Sequence, residues 1–391
     1  MTVTAKYRER YAERDIAFYA DSITSTYTHA LIVPAFNELP DALLNNLTIF
    51  QPQEALFIVV ANCPDNAHEQ DIHNTRQFAA SINAHQFPNV CVVDRISEPL
   101  PKRQGVGLAR KIGTDLALEL YARGQIESPW LYTTDADAIL PNNYLHIALP
   151  DQGAVVFGHV HESEDARLQR AADLYDLHMA YYIAGLTYAG STYAFPTLGS
   201  TIAVHAANYA QVRGYPRRNA AEDFYLLNKI AKVAEVKYEP KVVLTLAART
   251  SERVPFGTGP ALENITKALE EHPSGRSVKS YSFRSFELLR GCIKALSTFA
   301  EKGSADLDIK TRSLFAQLDW LETLEGFESA YAPPRRKRAL TEWFDGLKTL
   351  RFIHAARKFY PDESLLNTLN SSDPPIKKVI ASHMLRDNDY L

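Results

Sequence analysis

Residues 30–38 read ALIVPAFNE, and the reading of this run decides the fold. Ala30–Phe36 is continuously apolar, rich in branched side chains and closed by turn chemistry at Asn37, as expected of a strand buried on both faces. Downstream, Ala55–Ala61 (ALFIVVA) repeats the pattern and is closed by Asn62-Cys63-Pro64-Asp65, and Asn89–Asp94 (NVCVVD) repeats it again. From Gly105 to about Tyr121 the period changes. Val106, Ala109, Ile112, Leu116 and Leu120 follow the spacing of one helical face. Trp130–Thr134 and Ala154–Val160 return to strand. Buried strands separated by helices predict an α/β fold, a mostly parallel sheet flanked by helices.

Further along, Asp165 to about Tyr188 reads as a tyrosine-rich helix, Ser200–His205 as strand and Ala221–Val233 as helix. Lys237–Leu246 reads as strand despite its proline, which places it at a sheet edge. After about Thr266 the pattern becomes helical, with Phe286–Phe299 and Arg312–Leu324 as examples and a proline turn at Pro333–Arg338 between helices. The expected organisation is residues 1–265 as a catalytic α/β domain with a short helical lead-in over 1–25, and residues 266–391 as an α-helical C-terminal domain.

The 391 residues carry 42 basic and 46 acidic side chains, a net charge of −4, which gives no electrostatic reason to expect a nucleic-acid partner. Cys63, Cys91 and Cys292 show no CxxC spacing and fit a reducing compartment better than a disulfide or zinc framework. No apolar run approaches the roughly 20 residues of a membrane span. The charged start, with Lys6, Arg8, Arg10 and Arg14, does not resemble a secretory signal. A cytoplasmic protein is expected.

In an open parallel α/β sheet, ligands bind beyond the carboxyl ends of the strands, and the polar clusters fall there. Asn37-Glu38, Asn62 with Asp65, Asp94 and Asp135-Ala136-Asp137 each close a strand. Two carboxylates at a strand-to-loop transition can turn toward one point and suit a hard divalent cation that also takes diphosphate oxygens. The same triplet also occurs in plain acidic loops; its place after a strand favours the cation. Glu222-Asp223 open a helix after the basic turn Arg217-Arg218-Asn219. Such a pair can serve only the helix dipole, or it can remove a proton from a hydroxyl. The lone histidines His159, His161 and His205 fit structural roles, and the tyrosines of the 165–188 helix fit core packing better than a sugar-stacking wall.

Val33-Pro34-Ala35-Phe36-Asn37-Glu38 resembles the opening strand of inverting family 2 glycosyltransferases with the Rossmann-like GT-A fold. Gly105–Lys111 is similar to their glycine-to-arginine segment, Asp135-Ala136-Asp137 to their metal-binding (DXD) motif and Glu222-Asp223 to their acidic base motif, over about Ala30 to Gly259. The resemblance implies a transferase taking a UDP- or GDP-sugar donor with Mn²⁺ or Mg²⁺. By that resemblance Pro34, Asn37, Glu38, Asn62, Asp65, Arg110, Asp135 and Arg253 bind the donor, Asp137 with Asp135 holds the metal, Asp223 is the catalytic base and Glu222 orients the acceptor or its loop. One aspartate replaces the usual pair after the second strand. The loop Arg249–Gly259 lacks the tryptophan motif of processive members, which implies transfer of a single sugar to an acceptor the sequence does not identify.

Two other classes remain open at this point. A sugar nucleotidyltransferase shares the acidic metal ligands but carries an early glycine-rich loop, which Pro34–Glu38 lacks. A degenerate nucleotide-sugar-binding module is disfavoured by two intact acidic motifs. The basic run Arg335–Arg338 suggests peripheral contact with anionic lipid, against the plainer reading of a solvated face.

Overall fold

In a computed structural model, which describes residues 1–250, 257–304 and 307–371, the strands expected from sequence form one seven-stranded sheet. They are β1 (His29–Ala35), β2 (Ala55–Pro64), β3 (Val90–Leu100), β4 (Trp130–Thr133), β5 (Ala154–Glu162), β6 (Ile202–His205) and β7 (Val236–Ala247). Their spatial order is β3-β2-β1-β4-β6-β5-β7, parallel except for β6, which runs antiparallel to both neighbours. β2 and β3 outrun their apolar cores because, after a register shift at Asn62–Pro64, Pro64 still pairs with Leu100. As expected from its proline, β7 lies at an edge. Its ladder with β5 breaks between Phe157 and Gly158. The Pro240 carbonyl approaches Gly158 so closely that a Cβ there would sit 2.6 Å from it.

The chain groups into two compact units, residues 1–162 with 197–247, and residues 163–196 with 248–391. A single cut after residue 265 does not describe this interleaving.

In the first unit, alternation of side chains assigns the layers. Leu31, Val33, Phe57 and Val59 join Leu43, Leu47, Phe78 and Ile82 of the helices Asp41–Ile49 and Glu69–Ala84 in one core. On the opposite face, Ile32 and Val60 press on Gly113 of the helix Gly105–Ala122, where an added Cβ would lie 2.5 Å from Ile32 Cγ2. Thirteen residues of that helix are buried, more than one amphipathic stripe provides, because it crosses the middle of the sheet. The helices Val3–Arg10 and Ile16–Ser22 pack outside it.

The second unit is built on the helix Ala166–Ala189, capped by Asp165 and closed by left-handed Gly190 at φ 76°. Its tyrosines are core residues: Tyr181 and Tyr182 pack edge-on against Phe286 of the helix Phe283–Lys302. Two helical expectations need correction. The run Arg312–Leu324 is not one helix: Ile309–Gln317 and Leu321–Ala330 are separated at Asp319, which turns left-handed at φ 57°. The expected turn Pro333–Arg338 is instead the start of the helix Pro333–Trp343, since proline at the first helical positions supplies the required φ and loses no hydrogen bond. Arg336 is buried there, donating to the carbonyls of Phe299 and Tyr331 at 3.3 and 3.0 Å, and Arg338 pairs with Glu342. The basic run therefore offers fewer charges to a surface than its sequence suggests. Among the described residues no helix is long and apolar enough to cross a membrane.

Candidate functional site

The carboxyl edge of the central strands gathers the acidic motifs around one arginine. Arg110 lies on the second turn of the Gly105–Ala122 helix and is 4% exposed. Its Nη1 donates to Glu222 Oε1 and its Nη2 to Asp135 Oδ1. Glu222 opens the helix Glu222–Ile230, and Asp135 follows β4. Two motifs far apart in the chain are thus joined by a single buried cation, an arrangement suited to the planar fork of a guanidinium.

Local backbone geometry explains why Arg110 reaches both. The first turn of its helix lies against the loop before Glu222: Gly107 N–H donates to the Arg218 carbonyl at 2.9 Å, and a Cβ on Gly107 would stand 2.5 Å from the carbonyl oxygens of Pro216 and Arg218. Ala221, just before the acidic pair, is held left-handed at φ 59°. This costs a non-glycine residue about 1–3 kcal/mol and aims the first helical turn at the site. Gly199, in the 3-10 turn that leads into β6, lies under the guanidinium, where a Cβ would be 2.3 Å from Arg110 Cζ.

Asp223 is half-buried beside this cluster. Desolvation pushes its carboxyl above the ordinary carboxylate range; Arg110 and the backbone N–H groups of Phe224 and Gly199 oppose the rise, while Asp135 adds to it. Tyr215, 2% exposed, exchanges a hydrogen bond with Thr133 at the end of β4 at 3.2 Å. Burial pushes its hydroxyl up to about 12, so it stays protonated. Asp135 and Asp137 are both half-buried at the rim.

The remaining candidates are placed more widely. Pro34 is buried in β1. Asn37 turns left-handed at φ 54°, and its amide donates to Asp71 at 2.7 Å while its oxygen accepts from Asn74. Glu38 is half-buried beside it. Asn62 is buried, and its amide donates to the carbonyls of Ala35 and Val60, tying β2 to β1. Asp65 is exposed and accepts the Lys102 N–H at 3.1 Å. Asp94 folds back on its own turn, accepting from Ile96, Ser97 and the Ser97 hydroxyl. His205 caps the helix Ala206–Gln211 and stacks edge-on against Trp130. Arg253 lies outside the described residues. Sequence reading missed Gly199, Tyr215 and Thr133; the one available signal was the short Gly-Ser-Thr run ahead of β6.

No protein-family model matches the chain, and no curated protein matches it. Among solved structures it is similar to glucosyl-3-phosphoglycerate synthase from Mycobacterium tuberculosis in complex with Mn²⁺, uridine diphosphate and glucosyl-3-phosphoglycerate. The two are 15% identical over 68% of this chain and 87% of that one, with a TM-score of 0.35. Likeness at this level transfers no residue roles.

Proposed function

We propose that the chain is a metal-dependent inverting glycosyltransferase that moves a single sugar from a nucleotide-diphosphate sugar to a hydroxyl acceptor. The observation that carries this reading is the buried arginine that brings the two acidic motifs, Asp135-Ala136-Asp137 and Glu222-Asp223, to one sheet edge. The chemistry is assigned to the unit of residues 1–162 and 197–247.

Asp135 and Asp137 fit a divalent cation. Both offer hard carboxylate oxygens at a half-exposed rim, the donor type Mn²⁺ and Mg²⁺ take. When bound, such an ion would neutralise charge on the donor's diphosphate. Arg110 holds Asp135 in place and offsets the mutual repulsion of the carboxylates. Asp223 accepts the proton of the acceptor hydroxyl as its oxygen attacks the anomeric carbon; the bond to the diphosphate oxygen breaks on the opposite face, and configuration inverts. A carboxyl raised by burial is a better proton acceptor than an ordinary one. Glu222, buried against Arg110, is a positioning residue.

The test is thermal stabilisation by nucleoside diphosphates and nucleotide sugars with and without Mn²⁺, since a ligand of the folded state raises the melting temperature. One nucleotide class should stabilise the protein only with Mn²⁺, and Asp137→Ala should lose that shift. An equal shift in Asp137→Ala would remove the metal assignment; no shift with any nucleotide in the unaltered protein would remove the function.

A further inference from the structure

The helix that carries Arg110 has a second polar centre on its far side. Asp115, 1% exposed, accepts four hydrogen bonds: Oδ1 from the hydroxyls of Tyr7 at 2.7 Å and Tyr209 at 2.9 Å, Oδ2 from the Glu13 N–H at 2.9 Å and from Lys111 Nζ at 2.7 Å. Lys111, also buried, donates in addition to Tyr7 Oη at 2.6 Å and to the Tyr11 carbonyl at 2.9 Å, which uses all three ammonium hydrogens. A buried ion pair of this kind contributes little net stability but is costly to disturb, so its value lies in holding one geometry.

That geometry bears on the site by two routes. Lys111 follows Arg110 directly, so the amino-terminal segment grips the helix next to the residue that must reach Asp135 and Glu222. The second route runs through Tyr209. The Gly214 N–H returns to the Tyr209 carbonyl at 2.9 Å, and a Cβ on Gly214, at φ 66°, would lie 2.4 Å from Tyr7 Oη and 2.8 Å from Tyr209 Oη. The two hydroxyls therefore rest on the Gly214 backbone. Lys229 closes the turn from the other side, donating to the carbonyls of Val212 and Gly214 at 2.8 Å. The next residue is Tyr215, which meets Thr133 two positions before Asp135.

We propose that Tyr7 is a positioning residue for the acidic site: through Asp115 and Gly214, the amino-terminal helix sets the register of both the Arg110 helix and the turn that leads into Glu222-Asp223. The inference rests on the proposed reading of that edge as the transfer site, and the test separates the two.

Tyr7→Phe deletes one hydroxyl and keeps the ring; Tyr209→Phe removes the other hydroxyl from the same oxygen. Tyr27→Phe is the control, since Tyr27 is buried in the same unit and donates to the Pro88 carbonyl at 2.7 Å, away from the site. Amide hydrogen exchange is read at Gly214 and at Tyr225, whose N–H closes the first turn of the Glu222 helix on the Ala221 carbonyl. Tyr209→Phe, which loses one bond to a charged group, and Tyr7→Phe, which loses two, should each speed exchange at both amides by about tenfold or more. Tyr27→Phe should leave both unchanged. With the nucleotide sugar that stabilises the protein, Mn²⁺-dependent donor hydrolysis should lose kcat in the first two variants with donor KM unchanged. Exchange at Tyr225 that matches the control overturns the proposal whether or not the protein transfers sugar. Faster exchange in the two variants of a protein whose wild type proves inactive supports the positioning and sinks only the proposed function.

Discussion

Replacing Arg110 with methionine strands one charge and releases another, and the difference can be worked out from exposure. Its guanidinium stands between Glu222, whose side chain is 3% exposed, and Asp135, whose side chain is 39% exposed. Asp135 can turn to water, and a half-exposed pair contributes under about 1 kcal/mol. Glu222 has no such outlet, and an uncompensated buried charge costs about 3–5 kcal/mol. Arg110→Met should therefore destabilise the protein by about 3–5 kcal/mol, nearly all of it through Glu222. Glu222→Gln alone leaves Arg110 its Asp135 partner and a neutral acceptor, and should cost about 1–2 kcal/mol. In the double variant the stranded charge is gone, so the combined loss should fall about 2 kcal/mol short of the sum of the single losses. The assay is urea unfolding of all four proteins, with stability read from midpoints at constant slope. Additivity within about 0.5 kcal/mol would refute the reasoning, because it would mean that Glu222 does not depend on Arg110.

Three further outcomes follow from the same cluster. Asp223→Asn should lower turnover by about 10²–10⁴-fold while sparing donor binding. Because burial raises the Asp223 carboxyl and a base acts only when deprotonated, turnover should be full above that raised value and fall as pH drops through it; Arg110 opposes the rise, so removing its charge should move the acid limb to higher pH, and a move to lower pH would contradict the assignment. Gly199→Ala would push a methyl to 2.3 Å from Arg110 Cζ, and a guanidinium held by two carboxylates cannot swing aside as a free one would. The expected cost is about 1–3 kcal/mol with loss of turnover; unchanged stability and turnover would show that the arginine is not held there.

Local pattern made some of this legible and not the rest. The strands opening at His29, Ala55, Trp130 and Ala154 were readable because burial on both faces demands unbroken apolar runs. The edge position of β7 was readable because proline cannot donate in a central ladder. The direction of β6 was not: four residues set between β4 and β5 have the same pattern whichever way they run. Nor was the helix break at Asp319, a left-handed residue that is not glycine. The tyrosine-rich helix was rightly read as core, but nothing in its own period says that it packs with the C-terminal helices. The acidic motifs were visible as residue types at strand and helix ends. What joins them was hidden: the resemblance offered Arg110 as a donor contact, and only tertiary contacts show it buried between Asp135 and Glu222. The pair Lys111 and Asp115, four residues apart, reads as an ordinary ion pair on a helix surface, so the second buried centre was hidden as well.

The pairing of Arg110 with one carboxylate from each motif argues for a division of labour. Arg110 takes the first member of each acidic motif, Asp135 and Glu222. The second members, Asp137 and Asp223, are the ones assigned to the metal and to the proton. On the proposed reading each motif would have one carboxylate anchored to a buried cation and one left for the chemistry, with the anchor setting the spacing between the other two. A lysine at position 110 would not do this, since a single ammonium on a flexible stem lacks the forked, planar donors that hold two carboxylates in different elements at once. Charge balance alone would tolerate Arg110→Lys; geometry would not. Of the two, geometry is what the buried site has to preserve, because water cannot fill in for a lost hydrogen bond at Glu222.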